Sequence, residues 1–123
     1  MDPKKRILVV EDDVSVRTML ARALSTRYDV IEACDGSEAI RVLKSGPAPD
    51  VIITDVMMPN MNGYALSRLL KLDPALKSVP IIFLTGRTSA KDLVEGINAG
   101  ARHYISKPFG IKDMLAKIGK ILK

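Results

Sequence analysis

Five times along the chain, a short run of β-branched and aliphatic residues gives way to a stretch with helical spacing. That alternation restricts the fold more than any other feature. Arg6–Val10 is the first apolar run, and Val16, Met19, Leu20, Ala23 and Leu24 then follow the i, i+3, i+4 spacing of an amphipathic helix. Tyr28–Ala33 reads as a second strand. Asp35-Gly36-Ser37 supplies turn and cap chemistry for a helix with Ala39, Ile40 and Leu43 inward, ended by Gly46-Pro47 and Pro49. Val51–Thr54 is the third strand, and a loop through Pro59 leads to a helix carrying Leu66, Leu69 and Leu70. Pro80–Leu84 is the fourth strand. The helix after it is capped by Thr88 or Ser89, holds Leu93, Val94 and Ile97, and closes at Gly100. His103–Ile105 is the fifth strand, and a last helix places Ile111, Met114, Leu115, Ile118 and Leu122 on one stripe. Such alternation predicts an α/β fold with a parallel sheet and helices on both faces. At 123 residues the chain is too short for a barrel, which takes about 250. The expectation is a doubly wound, five-stranded parallel sheet with five flanking helices. It would form a single domain over residues 1–123, with no output domain in this chain.

The hydrophobic fraction of 47% and charged fraction of 27% are those of a soluble globular protein, and with aromatics at 4% the core must be aliphatic. One cysteine, Cys34, excludes an intrachain disulfide and points to a reducing, cytoplasmic setting, with Cys34 itself a small packing residue. Lys4-Lys5-Arg6 ahead of Ile7-Leu8-Val9-Val10 superficially resembles the start of a signal peptide, but the apolar run stops at Glu11-Asp12-Asp13. No run is long enough to span a membrane. The net charge of +5 raises nucleic acid as a partner. The lysines are spread along the chain and aromatics are scarce, so solvated helix faces account for the charge better and no direct nucleic-acid binding is expected.

Open parallel sheets bind ligands beyond the carboxyl ends of their strands, at the topological switch point. Here the first strand ends at Glu11-Asp12-Asp13, the third at Asp55, the fourth at Thr85 and the fifth at Ser106-Lys107. If the first and third strands are neighbours, several carboxylates converge in one crevice and raise each other's pKa unless a cation neutralises them. An all-oxygen, highly charged site suits Mg²⁺. The ammonium of Lys107 and the hydroxyl of Thr85 both suit phosphoryl oxygens. A carboxylate facing a metal and a lysine can attack a phosphoryl group to form an aspartyl phosphate. Alone, Asp55 is an Asx-turn or cap residue; together, the groups at four strand ends form a constellation.

The segments "ILVVEDD", "DVIITDVMMPNMNG", "PIIFLTG" and "AGARHYISKPF", with the closing helix, are similar to the receiver domains of bacterial two-component response regulators, over nearly the whole chain. That resemblance implies a flavodoxin-like strand order 2-1-3-4-5. It implies Asp55 as phosphoacceptor, Glu11 and Asp12 as the acidic pair of an Mg²⁺ site, with Asp12 the direct ligand and Glu11 acting through water, and the Met57 carbonyl as a further metal contact. Thr85 would be the switch hydroxyl, Tyr104 the aromatic switch and Lys107 the partner of the phosphoryl group, with the Lys107-Pro108 peptide commonly cis. Asp13 reads first as a helix cap and second as an auxiliary acid. The implied partners are a sensor histidine kinase or phosphotransfer domain and a downstream protein target, reached through the face of the fourth helix, fifth strand and fifth helix. The chain would be a monomer or a weak phosphorylation-dependent dimer, catalysing only its own phosphorylation and dephosphorylation.

Several finer expectations follow from single positions. Met57 and Arg87, two residues after Asp55 and Thr85, would border the route of the attacking water; Met57 cannot hydrogen-bond that water, so a long phosphoryl lifetime is expected. His103 reads as a surface residue and Met57, Met58 and Met61 as loop methionines packing on the helix below. Many DNA-binding relatives carry an acidic pair where this chain has Arg102-His103, which speaks against their dimer mode. Setting aside Glu11, Asp12, Asp13, Asp55 and Lys107, 18 basic and 10 acidic residues remain of the 19 and 14, so an acidic docking partner is expected. Competing readings are an Mg²⁺-dependent phosphohydrolase, which usually wants an acid where Met57 stands, and an adaptor that binds without phosphorylation. A dinucleotide enzyme would need glycines where Glu11-Asp12-Asp13 stands.

Overall fold

Strand β1 (Arg6–Val10) is apolar at four consecutive positions, and a strand presents alternate side chains to opposite faces, so both faces of its sheet must be covered. A computed structural model, describing residues 4–86, 94, 96–98 and 102–122, shows how. The chain runs from β1 through α1 (Val14–Leu24), β2 (Asp29–Ala33), α2 (Gly36–Lys44), β3 (Val51–Asp55), α3 (Gly63–Lys71), β4 (Ile81–Thr85) and β5 (His103–Ser106) to a last helix, Ile111–Ile121. All strand pairs are parallel and the order is β2-β1-β3-β4-β5. The chain thus leaves β1 toward one edge and returns to pair β3 on its other side, which makes the carboxyl ends of β1 and β3 the switch point.

Leu8, Val10, Ile52 and Phe83 point to one face, where Ala39 and Leu43 of α2 and Leu66 and Leu70 of α3 meet them. Ile7, Val9, Ile53, Ile82 and Leu84 point to the other, against Leu20 and Leu24 of α1 and Met114 and Ile118 of the last helix. Each Val, Leu, Ile, Phe or Met side chain among them contributes roughly 1.5–3 kcal/mol of burial. Among the described residues, three helices begin on a side-chain cap. Asp13 accepts from the backbone N–H of Ser15 and Val16, Asp35 from that of Glu38, and Asn62 from that of Ala65.

Some inward assignments fail. Met19 on α1 and Leu69 on α3 are exposed, as are Val94 and Ile97. An apolar stripe wider than the contact it serves leaves its edge residues in solvent. Val94 and residues 96–98 are helical, while Arg87, Thr88, Ser89, Leu93 and Gly100 lie outside the described residues. His103 is half-buried rather than a surface residue. Met58 and Met61 pack against the core, but Met57 is 55% exposed and does not pack with them.

Candidate functional site

Strand pairing carries Glu11 one residue past β1, where its N–H donates to the Ala33 carbonyl at 3.0 Å and its side chain is fully buried. Arg17, one turn into α1, donates to the Glu11 carbonyl at 2.8 Å and pairs with Glu32 at 3.4 Å, fixing the strand end. Asp55 is the last residue of β3 and only 6% exposed. From the other side of the sheet the Lys107 N–H donates to the Thr85 carbonyl at 2.9 Å, extending the β4–β5 pairing, and the Lys107-Pro108 peptide is cis. The Lys107 ammonium then lies 2.9 Å from Asp55 Oδ2 and 3.2 Å from Glu11 Oε2. Asp12 completes the group. Carboxylate oxygens of Glu11, Asp12 and Asp55 lie within 4.8 Å of one another, and Asp12 is exposed.

The loop after Asp55 is held against the strand by one close approach. A Cβ on Gly63 would stand 2.4 Å from the Asp55 carbonyl oxygen, so only glycine lets α3 start there, with the Gly63 N–H on the Val56 carbonyl at 2.8 Å. Asn60 takes a left-handed conformation, φ 71°, at the tip of that loop.

Burial pushes the Glu11 carboxyl up to about 7; the Asp13 N–H and Lys107 oppose this and the charge of Asp55 adds to it. Burial alone would lower the Lys107 ammonium, but its hydrogen bond to Asp55 and the charges of Asp55 and Glu11 outweigh that and hold it above its ordinary range. Among the described residues, three carboxylates against one ammonium leave a formal excess of two negative charges. The all-oxygen donor set and that excess fit a hard divalent cation.

Not every expected residue joins this group. Thr85 is buried at the end of β4. Asp13 is the cap of α1 and stands outside the carboxylate group. Tyr104 lies one layer below: its ring centroid is 5.8 Å from that of Phe83, which is 5.0 Å from that of Tyr64. The Tyr64 and Tyr104 hydroxyls are 3.5 Å apart, and a Cβ on Gly96 would fall 1.6 Å from the Tyr104 hydroxyl. Tyr64 and Gly96 carry no local motif in the sequence. The usable signal was scarcity, since three of the five Tyr and Phe residues form this one cluster.

Residues 7–119 match the family model for the response regulator receiver domain. The chain is 39% identical over 121 residues to the probable transcriptional regulator ycf27 of Porphyridium aerugineum, covering 98% of this chain and 49% of that protein. It is 41% identical over 119 residues to the response regulator MprA of Mycobacterium bovis, covering 96% and 50%. The chain thus spans about half the length of the curated relatives it matches. Among solved structures, chemotaxis protein CheY4 of Vibrio cholerae superposes with a TM-score of 0.91 at 33% identity, covering 98% of this chain and all of that one. Among the described residues no helix is long and apolar enough to cross a membrane.

Proposed function

This chain belongs to the family of response regulator receiver domains, and from that premise we propose that Asp55 is its phosphoacceptor. The observation that carries the reading is the single ammonium of Lys107 held between Asp55 and Glu11, with Asp12 beside them.

A carboxylate oxygen of Asp55 attacks the phosphorus of a phosphohistidine on a sensor histidine kinase or phosphotransfer domain. The P–N bond breaks, the imidazole leaves, and a P–O bond to Asp55 forms. Lys107 fixes the carboxylate before transfer and faces the phosphoryl oxygens after it; Thr85, one residue past the partner position of Asp55 on β4, offers its hydroxyl to them. Glu11, Asp12, Asp55 and the Met57 carbonyl would hold Mg²⁺. When bound, Mg²⁺ supplies neutralisation of the charge that gathers on the transferring group. Water later hydrolyses the acyl phosphate, releasing inorganic phosphate and restoring the Asp55 carboxylate, so the domain catalyses only its own phosphorylation and dephosphorylation. Bonding at Thr85 and a shift of Tyr104 against Gly96 and Tyr64 then change partner affinity at the face of the fourth helix, β5 and the last helix. The setting is cytoplasmic, the domain acts as a monomer or weak phosphorylation-dependent dimer, and the receiver of a downstream signal is a protein.

Incubation with a small acyl phosphate and Mg²⁺, followed by intact mass, tests this for wild type and Asp55→Asn. A gain of one phosphoryl group in wild type alone is expected. Equal gain in both proteins removes Asp55 from the role, and continuous turnover of a phosphate ester would instead identify a phosphohydrolase.

A further inference from the structure

At the amino ends of β4 and β5, opposite the crevice that holds Asp55, two clefts of about 680 and 520 Å³ meet at a shared ridge of Pro80 and His103. Lys71, Lys77 and Arg102 line one, and Lys117 and Lys120 of the last helix line the other, with Asp113 the single acidic residue of both linings among the described residues. None of these five cations is paired with a carboxylate among the described residues; Lys71 donates instead to the Lys77 carbonyl at 3.3 Å. Burial, with Lys117 and Arg102 close by, keeps His103 below its ordinary pKa, so the ridge adds no acid and feels positive charge from both sides. Between the cations the walls are aliphatic: Val79, Pro80 and Ile81 in one cleft, Ala116 and Ile121 in the other.

We propose that these joined clefts dock an acidic segment of a partner protein, with carboxylates on the lysine and arginine rim and aliphatic side chains in the two hollows. Charge complementarity identifies the sign of the partner. The hollows identify its class. No Phe, Tyr or Trp ring lines either cleft to stack a base, and a concave aliphatic floor suits side chains better than a phosphate backbone or a flat lipid surface. One cleft shares β5 and the last helix with the partner face of the proposed function and to that extent rests on that reading, whereas Asp55 lies at the other end of the strands.

Fluorescence polarisation with a labelled glutamate-rich peptide carrying interspersed leucines tests it on the whole chain. Binding at low salt that weakens as salt rises is expected, and Arg102→Glu with Lys117→Glu should lower affinity about tenfold or more. Arg22→Glu with Lys44→Glu makes the same charge change on α1 and α2, outside both clefts, and should alter affinity less than about twofold. Replacing the leucines of the peptide with serine should weaken binding too. Equal loss in the two variants, tighter binding of duplex DNA or phosphatidylglycerol vesicles than of the peptide, or absence of peptide binding would each overturn the proposal. The thermal midpoint and phosphoryl labelling of each variant report folding and the Asp55 site separately.

Discussion

At the scale of single residues, the site turns on Glu11 and Met57. Glu11 is buried with a carboxyl raised from 4.5 to about 7, so the folded state holds a proton there that the unfolded chain has released. Its contribution to stability therefore falls as pH rises from about 4.5 to about 7 and is level above that. Urea unfolding in a chelator across that range should show the fall in wild type and a flatter profile in Glu11→Gln; parallel profiles would contradict the assignment. Met57 stands two residues beyond Asp55 and is exposed. A thioether is only a weak acceptor and cannot orient water, whereas an amide can. Met57→Asn should shorten the life of the phosphoryl group severalfold, read as the decay of phosphorylated intact mass; an unchanged or slower decay removes Met57 from that role. The chemistry at strand ends was legible because each group follows its own apolar run. The fork of Lys107 between Glu11 and Asp55 was not, since it joins residues 96 and 52 positions apart. Nothing local marks that Glu11, rather than exposed Asp12, is the buried acid.

At the scale of elements, the start of α3 is a test case. Asn62 caps the helix and Gly63 lets it approach the Asp55 carbonyl. Asn62→Ala should cost about 1 kcal/mol through the lost cap alone. Gly63→Ala should cost roughly 1–3 kcal/mol, because the new methyl must push β3 and α3 apart. Only the second should also slow labelling of Asp55 by an acyl phosphate, since only it displaces the strand end; equal labelling of both would show that the loop and the site are mechanically separate. Helix existence was readable from caps and spacing. Which edge of a stripe stays wet was not, as Met19 and Leu69 show, because spacing reports a stripe and tertiary contact decides its width. The Tyr64, Phe83 and Tyr104 cluster joins α3, β4 and β5, and its fit depends on a missing side chain at Gly96.

At the scale of the whole molecule, the carboxylate excess would link a bound cation to folding. An ion that binds only the folded chain adds about 2.7 kcal/mol at a hundredfold excess over Kd. Mg²⁺ should raise the unfolding midpoint in proportion to the logarithm of its concentration, and Asp12→Asn should abolish most of that rise; an equal rise in the variant would place the ion elsewhere. The fold itself was largely legible, since alternation fixed the class and the family resemblance gave the order β2-β1-β3-β4-β5. Lys107 reaches back from the end of β5 to the ends of β1 and β3. Until the final strand has docked, Lys107 does not stand beside Asp55, and if the two act together as proposed, a chain still emerging from synthesis or only half refolded would lack that part of its means to accept a signal. On the proposed reading, the same lysine would make competence to answer a kinase a certificate that the whole domain has been assembled.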